Sequence, residues 1–393
     1  MTYNSCPTGI MKIQNAILCC VAIFAVPFCL AQPRPTPAAA GAATGVGGAA
    51  ATPLIVAGPT TAPGPKLPTS GDKQNPTPTA AQLASISDFV KVNMVRLVGD
   101  DTDVCTLTRN DLIAASVNPS QVNPASSVYY QTFLQSLSTE IKSALTKKYP
   151  VRVRLNIAIV VARVCDNVKS VVPPGAQMDS IIVQIMKDPV DSISLWGMKA
   201  AAASLSAPGN QGANFAANSV LQQIVPVLVA HKFNGAMTEE AYAAFADVNI
   251  AANKPCIAAL QKIFKARIDL YKAGTPPQDP AIDYRAAAYL VAQKGMWAQM
   301  NSVEQAQTMK MIADLVDAGS SVLPTKDAGE VGPQLRILLS QLSGAVMVVS
   351  GAQNKSTLTP LAGKVHSLSA TSPVNAVVAA SSAMSAQIRV DYP

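Results

Sequence analysis

The sequence predicts an all-α fold for residues 81–393, an irregular α-solenoid or stack of helical hairpins. Apolar residues recur there at the spacing of three and four residues that marks one face of a helix. Signals for β-hairpins between β-branched runs are missing from the same part of the sequence. One pair of predicted helices also recurs after a shift of about 40 residues, a repeat length that is typical of helical solenoids.

The stretch "YPVRVRLNIAIVVARV" at 149–164 decides between a strand and a helix. Its first half alternates like a strand, but its second half is apolar on both faces and has no turn signal. In a helix, Arg152, Asn156 and Arg163 form a polar stripe that only Ile159 interrupts. Pro150 also suits the first helical position, where its missing N–H costs nothing. We therefore predict a helix that begins at Pro150.

The neighbouring segments extend this pattern into pairs of helices. A helix over 126–149 meets the next one at Tyr149–Pro150 with almost no loop, so we predict an antiparallel hairpin. Downstream, a helix ending near Met186 is followed by an Asp188–Pro189 turn and by a second helix from about Asp191 to Leu205. Further helices are predicted over 81–99, 255–274 and 302–319, the last with a capping box from Ser302 to Gln305 and an end at Gly319.

A short turn between paired helices and an apolar–Arg step that opens the second helix resemble the HEAT family of helical repeats. Val153–Arg154 carries the step here, and Tyr284–Arg285 and Leu335–Arg336 look like further second-helix openings. The unit at 191 departs from the pattern, because Ser194 stands where the Arg would be. The resemblance covers parts of 126–350 and implies helix pairs stacked side by side.

The N-terminal residues 1–31 have the features of a secretory signal peptide. Lys12 precedes the apolar run "AILCCVAIFAVPFCLA", and Cys29-Leu30-Ala31 places small residues before a cleavage site after Ala31. Met11 is an alternative start. A lipoprotein signal and an uncleaved signal anchor are the alternatives to cleavage. We expect an exported protein, in the periplasm, in the cell envelope or secreted, which contacts a membrane only if this segment stays uncleaved.

Residues 32–80 are almost wholly Pro, Ala, Gly and Thr. Such a composition cannot bury enough apolar surface to offset its ordering entropy, so we predict a disordered linker. The alternative is a Pro-rich ligand for a partner domain, with "PRPTP" as the best candidate.

The charge of the chain argues against a nucleic-acid partner. The net charge is +7, and residues 1–80 supply +3 of it through four Lys and Arg against one Asp, which leaves +4 for residues 81–393. This is a weak field over such a length, and no Lys/Arg run with interleaved aromatics accompanies it.

Residues with catalytic or metal-binding chemistry are few. We expect Cys105, Cys165 and Cys256 to be small buried side chains, with one disulfide as the alternative. His231 near a helix end suits a C-terminal cation, and His366 is expected to be exposed. The carboxylates of "GDDTDV" at 99–104 are expected in a solvated turn, with a site for a hard cation as the alternative. We predict no cofactor, no metal and no enzymatic activity.

The predicted function is that of a scaffold that binds another protein. In solenoids the second helices of successive pairs line up on the usual docking face. The shift that relates the two helix pairs carries Asn156 to Trp196 and Ile159 to Lys199. The predicted partner-binding residues are Arg152, Asn156, Arg163, Trp196 and Lys199.

Three alternatives stay open for this surface and this function. The first is that Trp196 packs between helices and the arginines only solvate the surface. The second is a membrane-anchored structural protein of the envelope. The third is an enzyme of a type that the sequence does not reveal.

Overall fold

The computed structural model describes residues 64–119, 126–207, 218–246, 253–291, 296–325, 329, 331–369 and 371–393. Within these residues all regular structure is helical, as predicted. The predicted signal peptide at 1–31 and the linker over 32–63 lie outside the described residues. The side chain of Cys256 also lies outside them.

The described part of the chain contains sixteen α-helices and a short 3-10 helix at Pro280–Asp283. The α-helices are α1 (Ser70–Gln74), α2 (Ala80–Leu97), α3 (Thr102–Ser116), α4 (Ser127–Leu145), α5 (Val151–Val168), α6 (Gly175–Met186), α7 (Asp191–Ser206), α8 (Ser219–Ala230), α9 (Gly235–Ala246), α10 (Asn253–Lys272), α11 (Tyr284–Val291), α12 (Met296–Gln299), α13 (Ser302–Val322), α14 (Gly332–Ala352), α15 (Leu358–Leu368) and α16 (Val374–Asp391).

Most of the helices are arranged in two layers, and up to α11 alternate helices share a layer. Layer A contains α2, α4, α6, α8, α10, α13 and α16, and layer B contains α3, α5, α7, α9, α11, α14 and α15. Each helix packs against its neighbours in its own layer, so that α5 lies between α3 and α7 while α4 lies between α2 and α6. Stacked pairs of this kind form an α-solenoid. The apolar stripes predicted from the sequence are buried between the layers.

The helix predicted from Pro150 is present as α5, with Pro150 at the N-cap and Val151 as the first helical residue. The tight turn from α4 is also present, but α4 and α5 contact each other very little. The backbone of α4 lies closest to α2 and α6, and that of α5 lies closest to α3 and α7. The two helices are thus joined by the predicted tight turn, while most of their close backbone contacts are with other helices of their own layers.

The next two helices, α6 and α7, do pack as a close hairpin. A Cβ atom at Gly197 would lie 2.6 Å from Met186 N and 2.9 Å from Ile185 C, so a larger residue does not fit between the two backbones. Ser194 Oγ donates a hydrogen bond to Met186 O at 2.6 Å. Small residues on α7 thus permit a backbone approach that a side chain would prevent.

The three arginines expected at second-helix openings each connect one helix pair to a neighbouring pair. Arg154 on α5 forms an ion pair with Asp188 in the α6–α7 turn. Arg285 on α11 lies 2.7 Å from a carboxylate oxygen of Glu239 on α9. Arg336 on α14 donates to the carbonyls of residues 369 and 372 in the α15–α16 turn, both at 3.0 Å.

The ordered domain begins upstream of the predicted boundary at residue 81. Thr69 and Asp72 form a capping box that starts α1. Lys73 is buried, and its ammonium donates to Ala114 O at 2.7 Å and to Val117 O at 3.2 Å. These carbonyls end α3, where a helix leaves acceptors without intrahelical partners. The described end of the predicted linker, residues 64–80, is therefore part of the folded domain.

A buried polar network connects α9, α10 and the 3-10 helix. Arg267 and Asp283 are fully buried, and Arg267 Nε donates to Asp283 Oδ1 at 2.7 Å. The hydroxyls of Tyr242 and Tyr271 donate to the same carboxylate at 3.1 and 2.9 Å. Burial raises the pKa of Asp283, and these donors oppose that rise. The network supplies the partners that a buried charge requires.

The last four helices close into a bundle. α13, α14, α15 and α16 contact one another in sequence, and α16 returns to α13. Arg389 on α16 reaches Asp314 and Asp317 on α13 at 2.9 and 2.8 Å. Tyr392 beyond α16 is buried, packs edge-on against Trp297, and donates its hydroxyl to Gln353 Oε1 at 2.6 Å.

Among the described helices, α14 is long and apolar enough to cross a bilayer by length and composition. Half of its most apolar stretch is buried against neighbouring helices. A core helix passes the same test.

Candidate protein-binding cleft

Three consecutive helices of layer B, α5, α7 and α9, enclose a cleft of about 220 Å³. We call it the B-layer cleft. Its floor is made of alanine methyl groups and the ring of Trp196, and its rim carries charged side chains. The residues that line it are Ala162, Arg163, Asp166, Lys169, Trp196, Lys199, Ala202, Ala203, Ser206, Glu240 and Ala243.

Helical spacing brings these residues to one surface. On α5 the lining side chains follow one another at steps of one, three and three residues, and on α7 Trp196, Lys199 and Ala202 are spaced by three. Glu240 and Ala243 have the same spacing on α9. Alanine at the centre leaves space between the three helices, whereas larger residues there would fill the cleft.

Trp196 is the main aromatic feature of the cleft. Its ring is half-buried and packs against the core. The guanidinium carbon of Arg163 lies 5.5 Å from the ring centroid, and Lys199 Nζ lies 5.2 Å from it. Both distances are within the range of a cation–π interaction.

The charges of the rim are only partly compensated. Lys199 Nζ lies 3.1 Å from Glu240 Oε1, and Lys169 Nζ lies 2.9 Å from Asp166 Oδ1. Arg163 is exposed, and among the described residues no carboxylate lies within 4.0 Å of its guanidinium. The rim therefore has one cation whose charge is not matched by an ion pair in the described part of the chain.

The structure separates the five predicted partner-binding residues into two groups. Arg163, Trp196 and Lys199 meet at the B-layer cleft. Arg152 instead reaches back to the first helix pair. Its Nη2 donates to Gly99 O in the α2–α3 turn at 2.9 Å, and its Nη1 donates to Cys105 Sγ on α3 at 3.4 Å.

Asn156, the other predicted residue outside the cleft, is 8% exposed and accepts a hydrogen bond from Arg109 Nη1 at 3.2 Å. Both Arg152 and Asn156 thus fasten α5 to the first helix pair. The residue of α5 that lies over Trp196 is Arg163. Trp196 also packs against the core, which is the contact expected if it is an interhelical packing residue.

Asp166, Lys169 and Glu240 complete the rim and were not predicted. The first two follow Arg163 at steps of three residues, so continuing the polar stripe of α5 would have found them. Glu240 belongs to α9, in the next helix pair, and the repeat shift was not extended that far. Its place opposite Lys199 became apparent only from the packing of α7 on α9.

Two sets of polar residues outside the cleft have structural roles. Asp101 is the N-cap of α3, and its carboxylate accepts from the N–H groups of Asp103 and Val104 at 2.9 and 3.0 Å. His231 was predicted near a helix end, and it is the C-cap of α8. Its Nδ1 lies 2.7 Å from Asp191 Oδ1. In the described residues no hydroxyl or thiol is hydrogen-bonded to His231, so this pair lacks the nucleophile of a triad.

The remaining candidates for chemistry are the buried cysteines and His366, whose Nδ1 lies 3.0 Å from Ser340 O and 3.2 Å from Ser340 Oγ. His366 is exposed on α15, as predicted. Cys105 and Cys165 are buried free thiols, and burial raises the pKa of Cys165. The predicted state of these two cysteines is confirmed. Across the described ranges, no group of three or more His, Cys, Asp or Glu side chains is placed to hold a metal ion.

Comparison of the chain with family models, with curated proteins and with solved structures found no match. Any function must therefore be inferred from the B-layer cleft and from the fold that builds it.

Proposed function

We propose that the protein is an exported α-helical scaffold that binds another protein through the B-layer cleft. The observation that carries this proposal is the half-buried Trp196 with two cations at its ring, above a floor of alanines. Trp and Arg are enriched among residues that dominate binding energies. A surface shared by three consecutive helices of one layer is also the usual docking surface of a solenoid.

A HEAT-like relationship belongs to the same proposal. The starts of α5 and α7, at positions 151 and 191, are separated by about 40 residues, which is within the range of HEAT repeats. Arg154 on a second helix pairs with Asp188 in the turn of the following unit. These two features support a solenoid built from related units.

Export rests on residues 1–31, which satisfy the rule for small residues before the cleavage site. The mature protein is expected to begin at Gln32. Mass spectrometry of the N-terminus in the native host tests this expectation. Peptides that span Leu30 to Arg34 in the mature protein would refute it.

Affinity capture from the cell-envelope fraction of the native host tests the binding role. Arg163→Ala is expected to keep the stability of the protein and to lose most of the captured partner, since Arg163 is exposed at the cleft. Arg152→Ala is the matched control on the same helix. It removes a hydrogen bond to Gly99 O and should cost about 1–2 kcal/mol of stability while leaving capture intact. Equal capture by wild type and Arg163→Ala would contradict the proposal.

A further inference from the structure

We propose that the B-layer cleft recognises a peptide segment in which an Asp or Glu side chain stands next to a small apolar residue, with Arg163 receiving the carboxylate. The inference rests on the proposed binding function and names the chemistry of the partner. It follows from the charges of the rim, the donors of Arg163 and the size and lining of the cleft.

The rim favours a ligand with one negative charge. It carries three cations and two carboxylates, and Lys199 and Lys169 are each paired with one of the carboxylates. Among the described residues of the rim, the excess is therefore a single positive charge, located at Arg163. A phosphate group with nearly two charges would meet Asp166 and Glu240 on the same rim and be repelled by them. A carboxylate matches the excess charge.

Arg163 is prepared to bind a carboxylate in a fixed orientation. Its guanidinium lies over Trp196, which restricts the long side chain before a ligand arrives. Within the described residues, no protein acceptor takes a hydrogen bond from Arg163. Its planar set of N–H donors is thus available for two parallel hydrogen bonds to one carboxylate, a geometry that lysine does not provide.

The floor of the cleft determines what stands beside the carboxylate. The methyl groups of Ala162, Ala202, Ala203 and Ala243 offer apolar contact without polar partners. The volume of about 220 Å³ is below the roughly 300–1,000 Å³ that is typical of small-molecule sites. The cleft therefore suits one or two side chains of an extended segment, and a small apolar residue fits over the alanines and the Trp196 ring.

The test uses a phage-displayed library of random seven-residue peptides, selected on the full-length protein and counter-selected on Arg163→Gln. Enriched peptides are expected to carry Asp or Glu next to a small apolar residue. For a synthetic enriched peptide, replacing the acidic residue by its amide should weaken binding about tenfold or more. Arg163→Lys should retain part of the affinity. Lys262→Gln, at an exposed position on α10, is the control and should bind like wild type.

Binding is followed at Trp196 by fluorine NMR of the protein labelled with 5-fluorotryptophan. The chain has two tryptophans, so Trp297 in the terminal bundle serves as an internal reference. The Trp196 signal should shift and the Trp297 signal should not. In a double-mutant cycle, the amide peptide should bind Arg163→Gln no more weakly than the acidic peptide binds Arg163→Gln, because the same contact has already been removed.

The outcomes separate this inference from the binding role itself. Enriched peptides that shift the Trp196 signal but lack an acidic residue would contradict the recognition of a carboxylate by Arg163. The proposed binding role would remain. Tighter binding of a phosphoserine peptide than of the acidic one would also overturn it. If none of the selected peptides shifts the Trp196 signal, both proposals are overturned.

Discussion

The close approach of α6 and α7 makes Gly197→Ala a direct test of the fold at the cleft. The added methyl group would lie 2.6 Å from Met186 N, 2.8 Å from Met186 Cα and 2.9 Å from Ile185 C. These are backbone atoms, so no side-chain rotation relieves the contact. The two helices must move apart by about half an ångström or more, which weakens the dispersion contacts along the hairpin.

Two opposing contributions determine the size of the effect. Replacing Gly by Ala inside a helix stabilises it by about 0.5–1 kcal/mol. Overpacking a well-packed contact costs about 1–3 kcal/mol. Gly344→Ala on α14 is the matched control, because nothing lies within 4 Å of a Cβ atom there. The control should gain stability and Gly197→Ala should lose it. Because both variants gain the helix-propensity term, they should differ by the overpacking cost of about 1–3 kcal/mol.

Urea unfolding followed by circular dichroism measures both variants under the same conditions, with the midpoint and slope compared to wild type. Equal midpoints for Gly197→Ala and Gly344→Ala would show that the two backbones are not in contact. The close α6–α7 hairpin would then be wrong, and with it the placement of Trp196 beside Lys199 and Arg163.

Three further predictions concern other parts of the fold. Arg267→Met leaves the Asp283 carboxylate buried without its cation, so urea unfolding should show a loss of roughly 3–5 kcal/mol, and a loss below about 1 kcal/mol would contradict the network. Burial raises the pKa of Asp179 above 3.8, so its contribution to stability is present below that pH and is lost as the pH rises through the folded-state value. Asp179→Asn should therefore gain stability relative to wild type between pH 4 and pH 7, and a constant difference would refute this. Lys73→Ala removes the bonds to the end of α3, and limited subtilisin digestion should then shorten the stable fragment from a start near residue 64 to one near residue 80.

Helix positions were predictable because the apolar periodicity depends only on neighbouring residues, but their ends were not. The capping box was predicted from Ser302 to Gln305, but the structure has it one residue earlier, from Asn301 to Glu304. Gly319 was expected to end a helix and instead lies inside α13. Leucine side chains of α14 lie 3.7–3.9 Å from where a Cβ atom at Gly319 would be. This tertiary packing outweighs the local preference of glycine for a helix end.

The residues of the candidate site were also predictable only in part. Residues linked by the repeat, such as Trp196 and Lys199, were found because one shift relates two helices. Arg152 and Asn156 were assigned to the same surface by helical spacing. Their actual partners, Gly99 O and Arg109, belong to the first helix pair. Spacing along one helix gives no information on which neighbouring helix faces each side, so this part of the assignment required the packing.

The burial of Tyr392 has a consequence for the order of folding. A helix pair near the N-terminus can stack on its predecessor as soon as both of its helices have been made. The terminal bundle is different, because α13 needs Arg389 and α12 and α14 need Tyr392, which follow all three of these helices in the chain. Its apolar faces must stay uncovered until translation has passed those residues. The terminal bundle is therefore the part of the described structure that depends most on protection during synthesis.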